Sequence, residues 1–266
     1  MLKRSDIKNL YEKYNVRASK RFGQNFLIDQ NILKNIVKVG EIKDKDIMEI
    51  GPGLGSLTHY LLEDAKTVTS YEIDNDMIRV LKGEINNPKF FLIEGDFLKI
   101  NLKYTGKRTF VANIPYNITS DIIFKLFENS NRINKAVIMI QKEVAERLTA
   151  SVGSKNYGKL TISAQHFSNV KYHFTVSENS FIPAPKIKSA IVTFDFKDIN
   201  FEESKEFLKF VKQCFSMRRK TLFNNLKNFL GPEKSREMIK KSNFKESVRP
   251  QELSYEEFIN LFEFSL

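Results

Sequence analysis

Residues 46–55 read Asp-Ile-Met-Glu-Ile-Gly-Pro-Gly-Leu-Gly, a short β-type run that enters a turn with three glycines at alternate positions. A helical segment, Ser56–Glu63, follows at once. Strand, glycine-rich turn and helix in that order put a backbone that a ligand can approach closely at the carboxyl edge of a parallel sheet. The same rhythm runs from Ile32 to about Phe196. Further β-type runs at Thr67–Glu72, Lys89–Glu94, Arg108–Ala112 and Lys135–Gln141 alternate with helical patterns at Asp76–Glu84, Ser120–Glu128 and Glu143–Ala150. Such alternation predicts βαβ units and an α/β fold with helices on both faces of the sheet. Val170–Val176 and Ser189–Phe196 complete the sheet, and Gly40 is expected to cap the first helix at its C-terminal end.

After Phe196 the pattern changes. Phe207, Phe210, Val211, Cys214 and Phe215 recur at helical spacing, as do Leu222, Phe223, Leu226, Phe229 and Leu230. Gly231-Pro232 breaks that helix, and two more helical stretches reach the end of the chain. The expected organisation is a catalytic, cofactor-binding domain over residues 1–196 and a small all-helical domain over 197–266.

Three acidic or glycine elements fall in order on successive strands. The Gly51–Gly55 turn follows the first strand, Glu72 ends the second, and Asp96 follows the third. Glu72 could accept hydrogen bonds from ribose hydroxyls, and Asp96 could reach an adenine amino group. Each has an ordinary explanation on its own, as a tight turn, a solvated acid or a helix cap. Together they point to a bound adenosine. The glycine spacing departs from Gly-x-Gly-x-x-Gly, and the acid-Ile-Gly opening has the form found in methyltransferases, which disfavours a nicotinamide-linked oxidoreductase.

Asn113-Ile-Pro-Tyr116 lies just past the fourth strand, on the same sheet edge. An exocyclic adenine amine is a poor nucleophile because its lone pair is delocalised into the ring. Accepting its hydrogens on the Asn113 side-chain oxygen and the Pro115 carbonyl would favour a pyramidal, more nucleophilic nitrogen, and Tyr116 offers a stacking face. Such catalysis needs positioning and electrostatics more than a strong base. A plain strand-to-helix turn would use the same residue types.

Asn113–Ser120 resembles the motif of the rRNA adenine dimethyltransferases. So do Arg21-Phe-Gly-Gln-Asn-Phe-Leu27 and Phe181-Ile-Pro-Ala-Pro-Lys186 followed by Ser189-Ala-Ile-Val192. The resemblance spans nearly the whole chain. It implies a Rossmann-like class I methyltransferase sheet and the cofactor S-adenosyl-L-methionine, held by Asn25, Leu27, Gly51, Gly53, Glu72, Asp96 and Asn113. It also implies that Phe181 stacks on the target adenine opposite Tyr116, as in enzymes that hold an unpaired base. Gln141–Leu148, Tyr157–Leu160 and Arg218–Leu222 resemble the small-subunit enzymes, which makes 16S rRNA in a small-subunit precursor the expected substrate and the cytoplasm the expected location. Two alternatives stay open: a 23S rRNA methyltransferase of the macrolide-resistance type, and a ribosome-assembly protein without essential catalysis. Ala184 departs from the family, where a third proline is usual.

The net charge of +11 is unevenly placed. Residues 1–25 hold seven Lys/Arg, among them Lys3 and Lys20, and residues 205–245 hold twelve, so the remainder is slightly acidic. Basic ends around a near-neutral middle suit a polyanion. Arg147, Lys155, Arg218, Arg219 and Lys220 are the candidate RNA contacts, with Lys205, Lys209 and Lys212 extending the patch. A solvated basic face is the plainer explanation for any one of these runs. Cys214 stands alone, so no internal disulfide forms. The three histidines have no partners at ligand-like spacing, and no metal is expected. The N-terminal 30 residues lack the apolar core of a signal peptide, and no apolar run approaches the ~20 residues that span a bilayer. With no extended apolar surface stripe, a monomer is expected.

Overall fold

The computed structural model describes residues 4–19, 21–102 and 106–266. Lys3 and Lys20, counted above, lie outside the described residues. The chain opens with α1 (Arg4–Tyr14), β1 (Phe26–Leu27) and α2 (Gln30–Gly40). Elements that alternate except between β4 and β5 follow: β2 (Asp46–Ile50), α3 (Ser56–Asp64), β3 (Thr67–Glu72), α4 (Asn75–Glu84), β4 (Phe90–Glu94), β5 (Arg108–Asn113), α5 (Thr119–Glu128), β6 (Ile133–Gln141). Next come α6 (Lys142–Leu148), α7 (Lys159–Phe167), β7 (Ser168–Val176), β8 (Phe181–Ile182) and β9 (Ser189–Phe196), then the helices α8 (Phe201–Cys214), α9 (Leu222–Leu230), α10 (Pro232–Lys241) and α11 (Tyr255–Glu263).

Seven strands form one sheet in the order β4-β3-β2-β5-β6-β9-β7. The first five are parallel and β9 runs antiparallel to both β6 and β7. Side chains on neighbouring strand residues point to opposite faces, and both faces are covered, so the central strands carry apolar residues on both sides, as in Phe110–Ala112 and Ala136–Ile140. Phe110, Ala112, Ile138 and Ile140 pack into one layer with Ile122 and Phe127 of α5. Val111, Val137 and Met139 pack into the other, with Leu33 of α2 and Leu61 of α3. The strand order reverses between β2 and β5, and their carboxyl ends open the crevice where such sheets bind ligands.

Four features depart from the sequence expectations. Gly40 is the last helical residue of α2, and the left-handed cap position is taken by Glu41 at φ 50°. A Cβ at Gly40 would come within 2.9 Å of the Ile42 side chain and 3.4 Å of Val137, so the glycine there serves close packing on β6. Helix α1 is hidden in the sequence by its charge; its short stripe, Ile7 and Leu10, buries against Leu54, Met77 and Val80. The two-residue strands β1 and β8 pair antiparallel, Phe26 with Ile182 and Leu27 with Phe181. Finally, the helical C-terminal layer reaches back across residue 197: Tyr157 and Ile162 share its core with Phe210, Leu226 and Phe258. Tyr157 donates to the Leu253 carbonyl at 2.7 Å, and His166 bonds Tyr255 and Ser204 at 3.0 and 2.9 Å. Burial pushes the His166 pKa down to about 4, so this joint is made by a neutral ring.

No helix among the described residues is long and apolar enough to cross a membrane.

Candidate active site

One cavity opens at the carboxyl ends of β2, β3 and β5, bordered by the Gly51–Gly53 turn, Glu72, Asp96, Asn113 to Asn117 and the entrance segment Arg21–Leu27. Residues from five separate stretches of sequence therefore meet in one place.

The entrance segment is fastened at both walls. Gln24 donates from Nε2 to Asp74 Oδ2 at 2.7 Å and accepts from the Ser19 amide at 2.7 Å. Asn25 donates to the Gly23 carbonyl, and its own carbonyl accepts from Asn113 Nδ2 at 3.1 Å. Gly23 adopts φ +60°, and a Cβ there would lie 3.1 Å from Asn117 Oδ1, so the turn rests directly on the loop after β5.

Two glutamates shape the floor. Glu72 is 5 % exposed and accepts from the amides of Gly53, Ile73 and Asp74 at 3.1, 2.9 and 2.9 Å. Burial raises its pKa, opposed by those three amides. Glu49 is fully buried beneath the glycine turn; Thr58 and Ser70 donate to its Oε2 at 2.8 and 2.6 Å. Its Oε1 has no partner among the described residues although Glu49 borders the cavity. Burial pushes the Glu49 pKa up to about 7. Gly51 and Gly95 both take positive φ, and a Cβ at either would meet nothing within 4 Å, which leaves open space against the backbone. Asp96 accepts from the Leu98 amide at 3.0 Å and borders the same cavity.

Beyond β5, Asn113 uses its amide nitrogen on Asn25, which orients the Oδ1 acceptor. Tyr116 hydrogen-bonds Ser189 at 2.5 Å, anchoring the ring to β9. Two sequence assignments change here. The Pro115 carbonyl already accepts from the Ile118 amide at 3.2 Å and the Thr119 hydroxyl at 3.3 Å, so both its lone pairs are engaged. Phe181 is 1 % exposed and packs with Leu27, Met139 and Ile191 in the core. It is not among the residues that border the cavity with Tyr116.

Every site residue expected around the cofactor and the base except Phe181, that is Asn25, Leu27, Gly51, Gly53, Glu72, Asp96, Asn113, Pro115 and Tyr116, borders this cavity. Arg147, Lys155, Arg218, Arg219 and Lys220 do not; all five are exposed on the outer surface. Lys205 and Lys209 are ion-paired to Glu202 and Glu206 on their own helix. Glu49 carries no role in the sequence assignments, although the acid of Glu-Ile-Gly was the available signal, and Ser189 enters them only as the start of a motif.

The family model described as ribosomal RNA adenine dimethylase matches residues 15–265. The chain belongs to that family. Among relatives, ribosomal RNA small subunit methyltransferase A of Mycoplasma mobile is 46 % identical over 91 % of this chain and 96 % of its own length. The same-named protein of Mycoplasmopsis pulmonis is 46 % identical over 93 % and 98 %. Two solved structures share the fold. A dimethyladenosine transferase from Plasmodium falciparum superposes with TM-score 0.77 at 32 % identity, covering 90 % of this chain and 97 % of its own. The 23S rRNA methyltransferase ErmE superposes with TM-score 0.71 at 26 % identity, covering 90 % and 99 %. This dimethylase-family chain is thus an rRNA methyltransferase with a class I methyltransferase sheet.

Proposed function

We propose that this dimethylase transfers methyl groups from S-adenosylmethionine, up to two per base, to the exocyclic amines of adjacent adenines in 16S rRNA of a small-subunit precursor. The observation that carries this reading is the orientation of Asn113. Its nitrogen is committed to Asn25, so a lone acceptor oxygen is offered at the edge of the cavity that Gly51, Glu72 and Asp96 border.

The residues present suit the cofactor. The open backbone at Gly51 and Gly95 admits a flat or chain-like ligand, and the remaining acceptor capacity of Glu72 suits a ribose hydroxyl. The partnerless Glu49 Oε1 suits a cationic group above the turn, and Asp96 suits an adenine amine. Asn25 and Leu27 close the entrance side, and Gly53 supplies the amide that orients Glu72. When bound, the cofactor supplies an electrophilic methyl on a sulfonium.

The chain's own work is positional. Asn113 Oδ1 takes one hydrogen of the target amine. With the Pro115 carbonyl occupied, the adjacent Ile114 carbonyl is the acceptor for the second. Tyr116, held by Ser189, stacks on the base. Both acceptors pull the amine toward a pyramidal geometry, and no residue with a strongly basic side chain is required, because the amine proton becomes acidic only as the new N–C bond forms. Phe181 acts from the core, holding β8 and the 183–186 loop beside the site.

In this reading residues 1–196 carry catalysis. Residues 197–266 present Arg218, Arg219 and Lys220 to rRNA phosphates, and Arg147 and Lys155 flank the approach; such contacts set position while RNA shape sets choice. ErmE at 26 % identity keeps a large-subunit substrate as a second reading, weaker than the 46 % identity to the small-subunit enzymes.

Labelled methyl transfer tests this, with undermethylated small subunits, protein-free 23S rRNA and free adenosine as parallel substrates. Dimethyladenine in 16S rRNA alone is expected, and Asn113→Ala should abolish it while cofactor still binds. Label in 23S rRNA would move the chain to the second reading. Cofactor binding without label anywhere would favour an assembly role.

A further inference from the structure

Asn225 lies on α9, 1 % exposed, in the middle of the C-terminal helical layer. A leucine would suit both its helix and its surroundings better, since Asn has lower helix propensity and a buried amide is costly unless satisfied. Here the amide is fully satisfied, and by one stretch of chain. Its Oδ1 accepts from Ser216 Oγ at 2.9 Å and the Met217 amide at 2.7 Å. Its Nδ2 donates to the Met217 carbonyl at 3.2 Å and the Thr221 carbonyl at 3.0 Å. An Asn side chain has two donors and two lone pairs, and all four close the turn between α8 and α9.

That turn holds Arg218, Arg219 and Lys220, all exposed. Among the described residues none of the three makes an ion pair, whereas Lys205, Lys209 and Lys241 each pair with a glutamate on their own helix. They also crowd the N-terminal end of α9, where the helix dipole disfavours cations. Like charges in that place push the turn toward opening. Two further bonds, Lys220 amide to Met217 carbonyl at 2.9 Å and Asn224 amide to Thr221 Oγ1 at 3.3 Å, add to the Asn225 clamp.

We propose that Asn225 is a positioning residue that keeps the Ser216–Thr221 turn in the one shape that presents three adjacent cations to RNA phosphates. The proposal rests on the RNA-facing role given above to Arg218–Lys220. Prior ordering removes part of the cost of immobilising three long side chains on binding.

The test uses the full-length protein and small ribosomal subunits carrying unmethylated 16S rRNA. Affinity over a salt series is measured for wild type, Asn225→Ala, the triple variant Arg218→Ala/Arg219→Ala/Lys220→Ala, and their combination. Amide hydrogen exchange follows residues 216–221, and S-adenosylmethionine affinity is measured alongside. Asn225→Ala is expected to weaken RNA binding about 5- to 10-fold, to speed exchange in the turn, and to leave cofactor affinity unchanged. The triple variant is expected to flatten the salt dependence by about two to three in logarithmic slope. In the triple background Asn225→Ala should cost no further RNA affinity, a non-additivity that a general stability role does not produce. Additive losses, or wild-type RNA affinity despite faster exchange, overturn the proposal. A triple variant with wild-type RNA affinity overturns it through its premise, and so separates the two failures. Should Asn225→Ala not fold, Ser216→Ala removes one of the four bonds and enters the same cycle, with a loss of about two- to threefold expected; additivity there overturns the proposal equally.

Discussion

Replacing Glu49 by Gln should make the cofactor-free protein more stable, and only above mildly acidic pH. The carboxyl is fully buried, and its pKa stands at about 7 against an ordinary 4.5. An acid with a raised pKa holds its proton longer in the folded than in the unfolded chain. Stability from this group is therefore complete below pH 4.5, falls as pH rises from 4.5 to 7, and stays low above that. At about 1.4 kcal/mol per unit the full penalty is roughly 3 kcal/mol. Gln keeps an oxygen for the Thr58 and Ser70 hydroxyls and carries no charge to desolvate. Urea unfolding of the two proteins from pH 4.5 to 8.5, without cofactor, should give near-equal stabilities at the acid end. The gap should widen to about 3 kcal/mol by pH 8, or roughly 6 °C or more in Tm for a chain of this size. Burial also lowers the pKa values of His59 and His173, but both residues are common to the two proteins and cancel in the difference. A gap that stays constant across the range would refute the reasoning.

Tyr116→Phe keeps the ring and loses the bond to Ser189, so kcat/KM should fall about fivefold; Tyr116→Ala should cost about 10- to 100-fold, and equal losses in the two would contradict stacking. At Gly53, with φ +58°, an added Cβ would lie 2.9 Å from the Phe26 ring. Gly53→Ala should therefore destabilise by about 1–2 kcal/mol and weaken cofactor binding measured by calorimetry. Ala184 is exposed and its neighbours are prolines, so Ala184→Pro should change methyl transfer by less than about twofold; a large gain would show that the family's third proline is missed here.

Much of the frame was legible from periodicity. Asp46–Ile50, Thr67–Glu72 and Ser189–Phe196 form strands with the bounds read from sequence, because β-branched and aromatic residues concentrate in these short runs. That the Gly51 turn, Glu72, Asp96 and Asn113 line one cavity was legible because all sit at strand ends, and strand ends in a parallel sheet share an edge. Pairs that meet only in three dimensions were not. Strands of two residues carry no periodicity, so nothing announced that Phe26–Leu27 would pair with Phe181–Ile182 and turn Phe181 into the core. The saturation of the Pro115 carbonyl depends on how the next turn closes, and the role of Asn225 depends on a loop whose charges drew the eye first. Helix α1 was masked because two buried residues among many charges make a weak stripe.

The pairing of β1 with β8 also sets an order in time. Its partners are separated by roughly 150 residues of chain, and contacts so distant in sequence form late because a long loop must close first. Until residues 181–182 have been synthesised and have docked, the segment that carries Asn25 has no strand to pair with, and the entrance wall is held only by its bonds to Asp74 and Asn113. A nascent chain that has completed only β2 to β5 would hold the glycine turn and both glutamates, yet no finished pocket. Any ligand that favours the closed pocket then stabilises this late contact in proportion to its concentration over its Kd, so ligand supply and the final step of folding are coupled through four residues.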